Sequence, residues 1–338
     1  MLDIEQPEAL TEYLLQAGHI RQRQEVLHFE RLAGGVSSRT VLVRLQSGVA
    51  WVLKQALPKL RVSVDWFSDP VRVHREALGL RVLQQMLPHG SVPEFVFEDE
   101  TAHILCMTAV PSPHVNWKTP LLAGQVDLKF VEQFGQLLGT MHTEARLRAR
   151  ELQPLFADRT FFESLRIEPY YEYTATQVPQ AAPFLRALIA DTRQRCTTLV
   201  HGDYSPKNVL VHDSRLVLLD HEVIHWGDPA FDLGFALTHF LSKAHHLPEH
   251  RAEFLQAVLC FVQAYQERCG VALESDALEE YGMRHMLGCL LARVAGRSTL
   301  EYLSAEERAR QRAIILRLMS QPPATLAAHI AEFGQSLG

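Results

Sequence analysis

Over about the first hundred residues, apolar and polar positions follow each other at strand-like spacing, interrupted by one helical stretch. A short strand is predicted over 27–32. Two β-rich runs, 36–45 and 49–55, flank Gln46-Ser47-Gly48, which has the make-up of a hairpin turn. Residues 70–87 switch to helical spacing, with Val73, Ala77, Leu80 and Leu83 on one side. Two further strands, 95–97 and 103–107, are joined by the acidic turn Glu98-Asp99-Glu100. After Val110 the pattern changes. Pro111-Ser112-Pro113 breaks any regular element and reads as a hinge. Beyond it, helices are predicted over 126–143, 182–196, 231–243, 251–268, 276–294 and 305–319. One β-like island, 199–220, interrupts them with apolar strands at 209–211 and 216–219. The expectation is an α+β chain of two lobes: a small β-rich lobe over 1–109 and a larger, mainly helical lobe over 110–338.

Composition narrows the picture. The chain has 338 residues, 47% of them hydrophobic, enough for two cores at roughly 100–200 residues per domain. A formal net charge of −6, mixed along the chain, is not built to hold a nucleic-acid backbone. The five cysteines are scattered, with no CxxC pair, which argues against a disulfide framework or a structural zinc site and fits a reducing compartment. The first residues, Met1-Leu2-Asp3-Ile4-Glu5, carry no apolar signal core. The apolar runs are short and interrupted, so no membrane span is expected. The reading is a soluble, cytoplasmic protein that engages neither nucleic acid nor membrane.

Candidate chemistry concentrates in the island. Asp203 and Asn208 stand five positions apart on a polar loop, and Asp220 ends the strand that follows. Loops held by strands commonly carry chemistry. Phosphoryl transfer needs one carboxylate to orient an attacking hydroxyl, and a carboxylate with an amide oxygen to hold Mg2+. Taken singly, Asp203 and Asn208 are ordinary turn formers, and Asp220 an ordinary strand end. The ordered set is what points to a kinase.

The stretch Leu199-Val200-His201-Gly202-Asp203-x4-Asn208-Val209-Leu210 is followed by Leu218-Leu219-Asp220-His221-Glu222 and by Gly227-Asp228-Pro229-x2-Asp232-Leu233. Together these resemble the aminoglycoside phosphotransferase and choline kinase family, which shares the protein-kinase fold. The resemblance implies Asp203 as catalytic base, with His201 supporting the loop. It implies Asn208 and Asp220 as metal ligands, and Asp232 as a tie between its helix and the loop. Glu222 gives Asp-x-Glu in place of the protein-kinase Asp-Phe-Gly, as in the choline kinase and methylthioribose kinase branches. It either joins the metal site or lies near it.

The resemblance extends to a nucleotide side. Residues 32–40 carry Gly34-Gly35 with Ser37 and Ser38, where small residues let backbone N–H groups approach phosphate. This is similar to the family's phosphate-covering loop, with Ser38 where Asn is frequent. Lys54 closes the β run Trp51-Val52-Leu53 and matches the family's phosphate-contacting lysine, and Glu76 matches the glutamate that pairs with it. Met107 and Val110, leading into the hinge, are the nearest candidates for the adenine edge. The implied cofactors are ATP and Mg2+.

The acceptor is less defined. Residues 110–338 hold nearly balanced charge, so no polycation pocket is evident for an aminoglycoside. Trp226, Tyr204, Tyr170 and Tyr171 supply aromatics for a choline cage or for the core. The segment Arg166-Ile167-Glu168-Pro169-Tyr170-Tyr171 is similar to a Glu-Pro-Tyr segment of methylthioribose kinases, although those usually carry serine where this chain has Asn208. Arg284, Arg293 and Arg297 read either as surface arginines or as partners of an anionic or sugar-like acceptor. The expected function is therefore ATP- and Mg-dependent phosphorylation of a hydroxyl on a sugar- or amino-alcohol-like metabolite. Two alternatives are a catalytically silent kinase-like binding protein and a kinase for an aminoglycoside. A hydrolase using His201 and Asp203 lacks a placed Ser or Cys nucleophile.

Overall fold

The structure, a computed structural model, describes residues 2–32, 37–61, 66–269 and 275–338, with backbone alone for 275–277. The chain forms two units. One comprises Met1–Pro113 with Val217–Glu222, the other His114–Leu216 with Val223–Gly338.

The first unit is built on a five-stranded antiparallel sheet. Its strands are β1 (Val26–Arg31), β2 (Ser38–Leu45), β3 (Ala50–Ala56), β4 (Phe95–Asp99) and β5 (Ile104–Thr108), in the order β1-β2-β3-β5-β4. Each expected strand is present, its ends shifted by one or two residues. Gly48 takes a φ of +87° in the β2–β3 turn, a conformation that costs glycine least. Alternation along the strands sends Val41, Val43, Leu53, Ile104 and Cys106 to one face. There they bury against Leu10 and Leu14 of helix α1 (Pro7–Gln16). This helix was not expected from the sequence, although its apolar pair has i, i+4 spacing and Pro7 stands at its first position, where no N–H is needed. Helix α2 (Arg72–Met86) packs against β3, β4 and β5. Its predicted stripe of Val73, Ala77, Leu80 and Leu83 is buried.

The second unit is mainly helical. The helix Leu128–Leu147 packs on Arg251–Cys269, and Pro229–His246 packs on Ser275–Ala295. Both contacts run through glycine. A Cβ on Gly135 would lie 2.5 Å from the Phe261 carbonyl oxygen, and one on Gly234 would lie 2.4 Å from the Met286 nitrogen. Phe134, Phe240, Phe261 and Trp117 fill the space beside them. The strands Thr198–Val200 and His225–Gly227 pair antiparallel and carry the catalytic-loop candidate between them in sequence. Several helical stretches of this unit went unread in the sequence, among them Lys118–Leu122, Ala149–Phe156, Leu326–Ser336 and Glu163–Glu172, the last a π-helix containing Pro169. Proline lacks the N–H that a helix interior uses and normally ends or kinks a helix, yet Pro169 lies inside this one. Among the described residues no helix is long and apolar enough to cross a membrane.

The glycine contacts yield a paired expectation. Gly234→Ala forces Cβ into backbone and lowers stability by about 1–3 kcal/mol. At Gly282, in mid-helix, a Cβ would sit 3.7 Å from Leu233, and Gly282→Ala raises stability by about 0.5–1 kcal/mol. Urea unfolding of the two variants against the parent gives opposite signs.

Candidate active site

Lys54 lies on β3 next to Leu53, and strand alternation turns it to the face on which α2 packs. Its Nζ donates to Glu76 Oε1 at 2.7 Å and to Asp220 Oδ1 at 2.9 Å. Burial works against the Lys54 ammonium, but Asp220, Glu76 and Glu222 outweigh it and hold the group well above the usual lysine range. Burial raises the Glu76 carboxyl, as do Asp220 and Glu222, while Lys54 pulls it down. Asp220 takes a φ of +67°, a left-handed backbone that a short polar side chain tolerates and that concentrates at functional positions.

Glu222 belongs to the same unit. Its Oε2 accepts from Arg72 Nε at 3.0 Å. Arg72 is fully buried and also donates to the carbonyls of Ser68, Asp69, Leu57 and Ser37. One guanidinium thus fastens the Asp-x-Glu segment to the residues entering β2. Ser37 and Ser38 are buried beside it. Gly35 lies outside the described residues. Met107 sits within the ladder of β5, opposite Val52 and Phe95; Val110 follows two residues beyond the strand.

In the second unit the Asp203 loop is fixed from below by a carboxylate. Asp232, fully buried in the first turn of the helix Pro229–His246, accepts from His201 N at 2.7 Å and Gly202 N at 2.8 Å. Gly202 has a φ of +77°, and a Cβ there would meet the Val223 carbonyl oxygen at 3.0 Å. The His201 ring accepts the Asp203 N–H through Nδ1 at 3.2 Å, a supporting contact of the kind expected for it. Asp203 Oδ2 meets Asn208 Nδ2 at 2.7 Å, Lys207 Nζ at 2.9 Å and Arg166 Nη2 at 3.0 Å. Asn208 therefore spends its amide N–H on Asp203 and leaves its amide oxygen as the atom suited to a cation.

Three partners escaped the sequence reading. Arg72 stands four residues before Glu76, on the same helical face, which is the one available clue. Lys207 lies inside the loop motif itself. Arg166 comes from the π-helix, and nothing local marks it as a neighbour of Asp203.

Among the described residues no three His, Cys, Asp or Glu side chains converge into a ready-made metal cage. Magnesium takes only one or two protein carboxylates and keeps several waters. Asp220 and Glu222 are hard oxygen donors, and the Asp220 side chain is 27% exposed, so these residues fit such an ion. A separate cavity of about 310 Å3 is lined by Leu233, Leu237, Val262, Tyr265, Met283 and their neighbours. It is apolar and shares no residue with the Asp203 loop.

Arg72→Met leaves Glu222 buried without its cation. The expected cost is about 3 kcal/mol of unfolding free energy, measured by urea denaturation; an unchanged midpoint contradicts this role for Arg72.

The model of the family described as "Phosphotransferase enzyme family" matches residues 28–270. A methylthioribose kinase of Yersinia pseudotuberculosis serotype O:3 (strain YPIII) is 25% identical over 263 residues, covering 70% of this chain and 64% of that protein. The chain therefore spans less than two thirds of that relative's length. A methylthioribose kinase of Pectobacterium atrosepticum is 24% identical over 303 residues, 79% of this chain and 75% of that protein. Among solved structures, the amicoumacin kinase hAmiN in complex with AMP-PNP, Ca2+ and Ami superposes with a TM-score of 0.57 at 16% identity, over 95% of this chain and 98% of that one. A macrolide 2'-phosphotransferase type I gives a TM-score of 0.53 at 16% identity, over 91% and 96% of the two chains. At such identities the likeness establishes the fold: the two-lobed, protein-kinase-like α+β architecture expected from the loop motif.

Proposed function

The chain belongs to the phosphotransferase enzyme family, and from that membership we propose that it transfers the γ-phosphoryl group of ATP to a hydroxyl of a small sugar- or amino-alcohol-like molecule. The observation that supports this most is the state of Asp203: a buried carboxylate on a loop pinned by Asp232, bonded through Oδ2 to Asn208, Lys207 and Arg166. A carboxylate so held is oriented before substrate arrives, and positioning is what phosphoryl transfer chiefly asks of a protein.

In this reading Asp203 accepts the hydroxyl proton as the acceptor oxygen bonds to the γ-phosphorus. The bond from that phosphorus to the bridging oxygen breaks, and ADP leaves. Lys54, kept charged by Glu76 and Asp220, meets the phosphates of the nucleotide. Ser37, Ser38 and Gly35 would cover them, and Met107 and Val110 would meet the adenine. Asp220, Glu222 and the Asn208 amide oxygen are the donors proposed for the divalent cation, which supplies charge to offset that developing on the phosphoryl oxygens. Cation chemistry of this type is supported by the solved relative that carries AMP-PNP and Ca2+. A sugar-like acceptor is supported by the methylthioribose kinases among the sequence relatives.

The test is product formation by mass spectrometry from Mg-ATP and a panel of hydroxylated metabolites, methylthioribose and aminoglycosides included. Asp203→Asn and Asp220→Asn are each expected to lower kcat by about 100-fold or more, with the melting curve still cooperative. Full turnover in either purified variant defeats the proposal. A parent protein that binds ATP but phosphorylates nothing supports the catalytically silent alternative.

A further inference from the structure

Within the second unit, the Asp203 loop borders a cluster of buried cations. Arg166, bonded to Asp203, lies 5.7 Å from the Tyr170 ring centroid and 5.9 Å from that of Phe235. Arg293 lies over the same two rings, at 5.5 and 6.0 Å. One turn beyond Phe235 on its helix stands His239, their rings 5.2 Å apart. One turn further is Lys243, whose Nζ donates to the His239 carbonyl at 3.2 Å and sits 5.6 Å from the Tyr302 centroid.

Not all of this charge is balanced. Arg166 has Asp203, and Lys118 has Glu301. Among the described residues no carboxylate lies within ion-pair distance of Arg293 or Lys243, although their exposures are only 5% and 1%. Burial, Lys118 and Arg293 push the Lys243 ammonium down to about 7, with Glu301 opposing them. Burial, Arg293 and Lys243 press His239 well below the ordinary histidine range.

Hydrogen bonding is incomplete in the same place. Arg293 spends Nη1 on the Tyr170 hydroxyl and on Ser298, at 2.6–3.0 Å, while its buried Nε has no partner. His239 Nε2 is likewise buried without one. A role in holding residues 296–300 accounts for Arg293 Nη1. It accounts for neither Arg293 Nε, His239 Nε2 nor the Lys243 ammonium. Buried cations and unmet polar atoms are costly to a fold and are put to use when a ligand brings the countercharge.

We propose that this cluster is an acceptor subsite selecting a hydroxylated small molecule that bears an oxyanion, a carboxylate or a phosphate ester, met by Arg293, Lys243 and His239 while its hydroxyl is presented to Asp203. This deepens the phosphoryl-transfer reading and rests on it for the acceptor's fate, though not for its binding. The transfer balances as before: the acceptor O–H proton goes to Asp203, the new P–O bond forms at the acceptor, and the nucleoside diphosphate departs with the old bridging oxygen.

The experiment compares matched acceptors: a neutral sugar, its amino sugar, its sugar acid and its sugar phosphate. Each is followed by Mg-ATP turnover and, separately, by thermal protection without nucleotide. The acid or the phosphate is expected to protect the parent and to show a KM at least about tenfold below the neutral sugar. Lys243→Met and Arg293→Met are each expected to remove the protection and raise that KM by about 10- to 100-fold, with kcat within a few-fold and neutral-sugar KM unchanged. Lys243→Met is also expected to melt higher than the parent, because it removes a buried charge; it carries the test should Arg293→Met fail to fold. Preference for the neutral or amino sugar, or equal losses on neutral and anionic acceptors, overturns the subsite. Protection by an oxyanion with no acceptor phosphorylated overturns the kinase reading and leaves the subsite standing. Turnover without any oxyanion protection does the reverse.

Discussion

The second unit's chemistry depends on one buried carboxylate. Asp232 accepts the consecutive N–H groups of His201 and Gly202, and its Oδ2 also meets His142 Nε2 at 3.3 Å, which in turn meets Tyr265 at 2.9 Å. A charge taken from water is tolerable only when several donors face it, and here two are backbone dipoles that cannot turn away. That requirement fixes the loop. The peptide must bring both N–H groups to one side, which needs the left-handed turn at Gly202. The crowding by Val223 leaves no room for a side chain there. The residue after that turn is Asp203, so its direction follows from the anchoring of the two before it.

The first unit solves a related problem with the opposite sign at its centre. Lys54 is buried among Glu76, Asp220 and Glu222, and Arg72 gathers Glu222 and four carbonyls. A lysine is a flexible point charge; two carboxylates at under 3 Å hold it to one position. The strained backbone at Asp220 belongs to this arrangement, since it sets which way that carboxylate faces.

How much of this the sequence carried depended on range. Lys54, Glu76 and the Asp203–Asn208 loop could be named from the sequence because each stands in a short contiguous run that resembles the family's own. So could Asp232, four residues into a helix announced by Asp228-Pro229. Arg72, Arg166 and Lys243 were not assigned. Arg72 opens its helix on the face that carries Glu76, and only the fold shows what it reaches. Arg166 sits in a helix whose proline reads as a break. Lys243 ends an apolar helical run, where a lysine normally extends to water. Helix α1 was missed because its few apolar residues make sense only once the sheet they cover is known.

The two clusters differ in what they can accommodate, and that difference bears on the substrate. In the proposed reading, carboxylates gathered around a lysine would take a divalent cation and, through the lysine, phosphate. Cations gathered on the rings of Tyr170, Phe235 and Tyr302 accept the reverse. A polycationic acceptor brought to Arg166, Arg293 and Lys243 would add like charge in a place with little water to screen it, where repulsion is at its strongest. The nearly even charge of this stretch of sequence hides that bias, because the acidic residues are mostly paired elsewhere: Asp191 with Arg284, Glu163 and Glu172 with Arg193, Glu332 with Arg317. Net charge averages over the surface, whereas in the proposed subsite selectivity would rest on Arg293 and Lys243, the charges that burial leaves without a carboxylate partner among the described residues.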